Sequence, residues 1–272
     1  MTKTPFLKMH GTGNDFVVLD GRAQSLAMTA ELAKRLSDRH FGIGCDQLVL
    51  LEKSDLAEVK MRIFNADGSE ISTCGNATRC VADFMMHESG KANASIETGA
   101  GVLTGERNGD GIRVNMGKPR FGWQEIPLSE SRNIEHLGLA EGLLMDPVAV
   151  NMGNPHAVFF VRDLYHIKMA EWGPKLEHNP LFPQRANISA VQVLSPTKVK
   201  MVVWERGTGL TMACGSAACA TAVAGVLREL THRKIDVELP GGILQVEWLP
   251  GENGDVLMTG PVAYVFNGQI EL

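Results

Sequence analysis

The feature that most constrains this chain is that it contains a second copy of itself. FNADGSEISTCGNATRC at residues 64–80 aligns with WERGTGLTMACGSAACA at residues 204–220, setting Cys74 on Cys214, Gly75 on Gly215 and Ala77 on Ala217. The same offset of 140 positions carries Gly13 and Asn14 onto Gly153 and Asn154, Gln47 onto Asn187, and Lys60 and Met61 onto Lys200 and Met201. Four segments in one register predict two homologous domains related by a pseudo-twofold axis. Glycine turns at residues 108–111 and 252–255 join the alignment after a small insertion. The first repeat is placed at residues 1–117 and the second at 118–262. Residues 122–145 have no counterpart in the first copy and read as a connecting stretch.

Within each copy the pattern is mostly strand. Residues 48–51, 61–64, 112–115, 157–161 and 198–204 carry β-branched and aromatic side chains bounded by turn formers, and 29 glycines with 12 prolines imply many tight turns. Two helices per copy are expected. Thr29 caps one running to about His40, with Leu32 and Leu36 on one face. The second begins just after each Cys-Gly, with Asn76 and Ser216 as N-caps; the helix from Ser216 is apolar nearly all round and is expected to lie buried, wrapped by strands. The fold class is α/β.

Composition removes several function classes. A net charge of -5, with no block of like charges, speaks against nucleic acid as a partner. The longest uncharged stretch, residues 207–227, is made of small residues and is no membrane span, and the N-terminus lacks the apolar region of a secretory signal, so a cytoplasmic protein is expected. Five cysteines fit a reduced compartment, and their spacings suit neither a disulfide framework nor structural zinc, so no metal is expected.

Each of Cys74 and Cys214 stands at a helix start, where backbone N–H groups and the helix dipole are expected to lower the thiol pKa and to cradle a carboxylate. If the twofold brings the motifs face to face, a substrate between them meets two thiols from opposite sides. Inversion at a carbon needs that arrangement, because one group removes the proton from one face and another delivers it to the other. The two would titrate as a coupled thiol/thiolate pair. A redox switch between the same thiols is the competing reading. Cys80 and Cys219 read as buried helix residues and Cys45, in GIGCDQ, as structural.

Other polar residues recur. Asn14 and Asn154 follow a glycine before a strand; Gln47 with Asn187, and Asn65 with Glu205, fall at strand ends. Where the first copy has Asn65 and Ala66 the second has Glu205 and Arg206, a carboxylate and a guanidinium able to bind a second ammonium and carboxylate or simply to pair with each other. His156 either polarises a thiol or caps a turn.

At these residues the chain resembles the diaminopimelate epimerase family, from KMHGTGNDFVVLD through GIGCDQ, FNADGSEISTCGNATRC, GNPHAV, RANI and ERGTGLTMACGSAACA to MTGPV, in order and essentially end to end. The resemblance implies a cofactor-independent isomerase that interconverts LL- and meso-diaminopimelate on the route to lysine and peptidoglycan. It implies two domains, each a curled, mostly antiparallel sheet around a central helix, with a C-terminal strand at residues 263–272 returning to the first. It assigns Cys74 and Cys214 as the acid/base pair, and Gly75, Asn76, Gly215 and Ser216 as the carboxylate cradle. Asn14, Gln47, Asn65, Asn154, Asn187, Glu205 and Arg206 become substrate contacts, with Arg206 on the distal carboxylate and Glu205 near the distal ammonium. His156 and Glu205 become the groups that tune the thiols. Three positions depart from the family pattern: Leu210 for Glu, Ala217 for Gly, and Phe266 for a Tyr of the homodimer contact. A proline-racemase-like enzyme is the runner-up, although Glu205 and Arg206 would have little to do on a monocarboxylic substrate.

Overall fold

The computed structural model describes residues 3–72, 74–251 and 254–272. Thr73, in the first cysteine segment, and Glu252 and Asn253, in the second expected glycine turn, lie outside them. Two compact units emerge: residues 1–114 with 260–272, and residues 115–259.

The first unit holds β1 (Lys3–Gly11), β2 (Asn14–Asp20), α1 (Ala30–Ser37), β3 (Gln47–Glu52), β4 (Val59–Asn65), β5 (Glu70–Ile71), α2 (Gly75–Ser89), β6 (Asn93–Thr98), β7 (Gly101–Asn108) and β8 (Gly111–Asn115). Its pairings are mostly antiparallel, with parallel joins between β2 and β3 and between β4 and β6. The second unit repeats the order. After a short hairpin of β9 (Ala140–Glu141) and β10 (Leu144–Met145) come β11 (Val148–Asn151), β12 (Pro155–Val161), α3 (Met169–Glu177), β13 (Asn187–Ser195) and β14 (Lys198–Glu205). They are followed by β15 (Gly209–Leu210), α4 (Gly215–Leu227), β16 (Lys234–Leu239), β17 (Gly242–Trp248) and β18 (Val256–Gly260). The last strand, β19 (Ala263–Glu271), runs antiparallel to β1.

The repeat extends to strand register. Phe16 sits opposite Gln47 in the parallel pair of the first unit, and His156 opposite Asn187 in that of the second, each 140 positions on. β2 starts at Asn14 and β12 at Pro155, just after Asn154, and their parallel partners β3 and β13 start at Gln47 and Asn187, so the strand starts stand at matching heights in each unit.

In each unit the strands pack on its longer helix. Within α4, residues 217–225 are all buried, against Val148, Val158, Val199, Met201, Ile235, Val237, Leu244 and Val246. This stretch of Ala, Cys, Thr, Val and Gly has no bulky side chain to hold strands away, and each buried Val, Leu or Ile around it contributes about 1.5–3 kcal/mol. The segment at 122–145 is more than a connection. Ile126, Leu128, Leu137 and Leu144 are buried with Trp172, Phe159 and Ile188 in a second core of the same unit.

Two local expectations need correction. Thr29 does cap α1, accepting from the Leu32 N–H at 3.2 Å, but the helix stops at Ser37 rather than near His40. Asp38 breaks it by turning extended and taking the N–H groups of His40 and Phe41 on its carboxylate, both at 2.7 Å. The N-caps of α2 and α4 are Cys74 and Cys214 themselves, both in extended backbone. Asn76 and Ser216 are already inside the first turn, because the carbonyl of each cysteine accepts the first helical bond, from Thr78 and from Ala218.

Candidate active site

A helix leaves its first N–H groups without acceptors of its own, and neither cysteine uses its side chain as a cap. Each motif therefore presents a sulfur and a helix start at one point. Around Cys74 the first unit gathers amides: its Sγ lies 3.9 Å from Asn14 Oδ1, which also accepts from Asn76 Nδ2 at 3.2 Å. Asn14 Nδ2 donates to Asp46 at 3.0 Å. Asp46 in turn receives Arg39, which pairs with Asp15, and Asp15 pairs with Lys8. Burial alone would raise the Asp15 carboxyl, but the Arg39 guanidinium and the Lys8 ammonium hold it well below the usual carboxylate range. Asn14 is thus anchored to a fixed charge network. Gln47 and Asn65 form a separate pair, Nε2 to Oδ1 at 3.0 Å, with Asn65 also donating to Ser69 at 3.1 Å.

In the second unit Cys214 is buried, with its Sγ 3.5 Å from Ser216 Oγ. The expected lowering of its pKa is overturned. Burial, and then the neighbouring Glu205 carboxylate, push the thiol well above its ordinary value, against the opposing help of the Ser216 hydroxyl and the Ala217 N–H. Magnitudes decide this: a helix N-terminus is worth about 0.3–1 kcal/mol and up to about 2, whereas full burial can move a pKa by about 3–5 units. Among the other cysteines, Cys80 is pushed up to about 12 by burial inside α2, and Cys45 is buried with its thiol 3.4 Å from Ser37 Oγ. Cys219 is buried inside α4, and none of the five forms a disulfide.

The strand pair β13–β14 and the turn after it arrange the remaining groups. Glu205 accepts the Thr211 hydroxyl, and Arg206 donates Nη1 to the Gln184 carbonyl at 3.1 Å. Asn187 is buried, taking the Arg206 N–H on Oδ1 at 2.9 Å and giving Nδ2 to the Pro155 carbonyl at 3.0 Å. That places it behind Arg206. Arg206 and Asn154 line a cavity of about 230 Å³ together with Gln124, Glu125, Asn151 and Gln184.

His156 lies in β12, not in a turn, and its ring is fully buried. Its Nε2 is 2.7 Å from Asn154 Oδ1, so its bond goes to an amide and not to a thiol. Burial, and then the Arg206 charge, hold its pKa down to about 3. An unfolded His titrates near 6.5, so below that pH the unfolded chain takes up a proton that the folded protein refuses. Stability is therefore lost as pH falls from about 6.5 toward 3, by about 1.4 kcal/mol per unit. His156→Gln should remove this part of the acid sensitivity, so its melting temperature should fall less than that of wild type between pH 7 and pH 5. Equal falls would contradict a buried neutral imidazole.

Sequence reasoning missed three supports of this site. Asp46 shows no functional mark in the sequence; the parallel register of β2 and β3 is what brings it to Asn14. Glu177, buried at the end of α3, accepts from Trp204 Nε1 at 2.7 Å and from the Gly207 N–H at 2.9 Å, pinning the turn that carries Glu205 and Arg206. The Gln184 carbonyl steadies the guanidinium. Neither of the last two carries a signal in a single sequence, since each acts across a loop.

Comparison with known proteins places the chain. The family model described as diaminopimelate epimerase matches residues 6–122 and 148–265, one segment per repeat. A protein named diaminopimelate epimerase from Acidiphilium cryptum is 51% identical over 268 residues, covering 98% of this chain and 96% of that one. Another of that name, from Erythrobacter litoralis, is 50% identical over 270 residues, covering 99% and 98%. Among solved structures, a phenazine biosynthesis protein of the PhzF family from Bacillus anthracis superposes with a TM-score of 0.73 at 18% identity, covering 100% of both chains. A probable proline racemase from Agrobacterium radiobacter K84 does so with 0.71 at 13%, covering 99% of this chain and 93% of that one. These last two likenesses are of fold.

Proposed function

The chain belongs to the diaminopimelate epimerase family and interconverts LL- and meso-2,6-diaminopimelate, and we propose that Cys74 and Cys214 are the two proton carriers. The observation that carries this reading is the duplicated Cys-Gly helix start, with a thiol and a row of helix N–H groups in each unit. The chemistry requires the two motifs to address one substrate carbon from opposite faces. A thiolate takes the Cα proton and becomes a thiol; the electron pair left behind spreads into the carboxylate held by the N–H groups at Gly75, Asn76, Gly215 and Ser216; the opposite thiol then gives its proton to the other face and becomes the thiolate. The pair ends with its roles exchanged and atoms balanced.

Cys214, held protonated by burial and by Glu205, is the donor in a turnover that starts from the state described here, and Cys74 is the base. Glu205 is therefore the group that tunes the Cys214 thiol. Gln47 and Asn65 contact the substrate from the first unit with Asn14. Asn154 and Arg206 bind the distal carboxylate in the cavity that they line, with Asn187 holding Arg206 in place and Glu205 near the distal ammonium.

The same reading includes catalysis without a cofactor or metal, a place in lysine biosynthesis, a cytoplasmic location and a homodimer. Support for the dimer is a run of exposed apolar side chains on β19, Tyr264, Val265 and Phe266, with Phe266 set edge-on to Phe6 at 6.0 Å. The test of the reaction is direct. Protein purified with a chelator and a thiol reductant, and given LL-diaminopimelate alone, should produce the meso isomer until the two reach equilibrium. A requirement for added pyridoxal phosphate or a metal ion would contradict the reading.

A further inference from the structure

Asn14 and Asn154 are equivalent in the repeat, and each follows a glycine of positive φ, Gly13 at 82° and Gly153 at 91°. Their amides are nevertheless fixed in opposite senses. A carboxylate can only accept, so Asp46 at 3.0 Å fixes Asn14 with its amino group toward that carboxylate and its oxygen toward Asn76 Nδ2 and the Cys74 thiol. For Asn154 the neighbour is His156 Nε2, 2.7 Å from Oδ1. The other ring nitrogen, Nδ1, is buried without a partner among the described residues. A buried N–H without an acceptor is rarer and costlier than a bare lone pair, so the proton of this neutral ring resides on Nε2 and is donated to Asn154 Oδ1. The amino group of Asn154 is left for the cavity that it shares with Arg206.

The sequence carries the same asymmetry. The position equivalent to Asp46 is Ala186, which has nothing to accept with, and the position equivalent to His156 is Phe16, which has nothing to donate. Each copy holds one orienting group and lacks the other's.

We propose that Asp46 and His156 are positioning residues that polarise the duplicated asparagines, so that Asn14 presents an oxygen to the Cys74 thiol and Asn154 presents a donor, beside Arg206, to a carboxylate of the substrate. This rests on the functional reading above and adds to it how two nearly equal halves come to treat a substrate differently. It also gives His156 work to do as a neutral donor.

The test uses steady-state kinetics on diaminopimelate with purified full-length variants shown by circular dichroism to be folded. Asn154→Asp keeps the oxygen that His156 bonds but turns the outward amino group into a carboxylate oxygen; KM should rise about thirtyfold or more, with kcat much less affected. His156→Leu, which frees the amide to rotate, should raise KM about tenfold, and His156→Gln, whose Nε2 reaches the same place, should restore it to within about threefold of wild type. Asp46→Asn should lower kcat about tenfold and leave KM within about threefold, since it loosens the acceptor at the thiol and not the carboxylate site. A KM for Asn154→Asp at or below wild type, a Gln variant no better than Leu, or an unchanged kcat in Asp46→Asn would each overturn the proposal. Failure of the two-thiol reading would look different: the cysteine variants would keep turning over, while KM would still report the amides.

Discussion

Replacing either Cys74 or Cys214 by alanine should lower epimerisation by at least about a thousandfold, in line with the loss of a positioned acid or base, and leave the fold in place. Each change removes one sulfur atom and no helical bond, because the backbone carbonyls of both residues, not their side chains, start α2 and α4. The burial of α4 residues 217–225 is untouched. The measurement is the rate of meso product from LL-diaminopimelate, with melting temperature as the control for folding. A folded variant within tenfold of wild type would mean that the missing thiol is not a proton carrier. The same substitution at Cys80 or Cys219 should act only on stability, because those sulfurs lie inside the helices.

Arg206→Ala should raise KM by about 10- to 100-fold, the loss of about 1.5–3 kcal/mol expected when a carboxylate loses its charged donor. Stability should change little. The guanidinium is exposed, and its side chain holds a loop carbonyl rather than a buried carboxylate. The turn itself is pinned independently, by Glu177 to the Gly207 N–H and by Asn187 to the Arg206 N–H. Steady-state kinetics on diaminopimelate decide the matter. An unchanged KM and kcat would make Arg206 a surface residue without a role in binding.

Much of this architecture is legible in the residues because a duplicated chain reports its own register. The 140-residue offset found in Cys74, Asn14 and Gln47 reappears as identical strand pairing in the two units, and the all-apolar pattern after Cys214 becomes a buried helix. What was not legible depends on burial and on which of several available partners a side chain takes. The thiol of Cys214 sits at a helix start, as read, but its pKa moves the other way, because burial and Glu205 outweigh the dipole. His156 looked like a thiol partner or a turn cap. Strand β12 instead buries it against Asn154, a contact that reading residue types could not select. The connecting stretch has no counterpart in the first copy, so the repeat gave no guide to it, and its four buried aliphatic residues became part of a core. The end of α1 was misplaced by the competition of one side chain, that of Asp38, for two backbone N–H groups.

The central claim is that two opposed thiols move the proton, and the most direct measurement of it is the fate of deuterium in heavy water. Starting from LL-diaminopimelate, and sampling before equilibrium, the meso product should carry deuterium at the inverted carbon while the remaining LL substrate stays unlabelled. The proton removed by one thiol is not the one delivered by the other, and delivery occurs only to the opposite face. Deuterium appearing at equal rates in recovered LL substrate and in product, or product retaining the original hydrogen, would point to a single base serving both faces and would contradict the assignment of Cys74 and Cys214 as a pair.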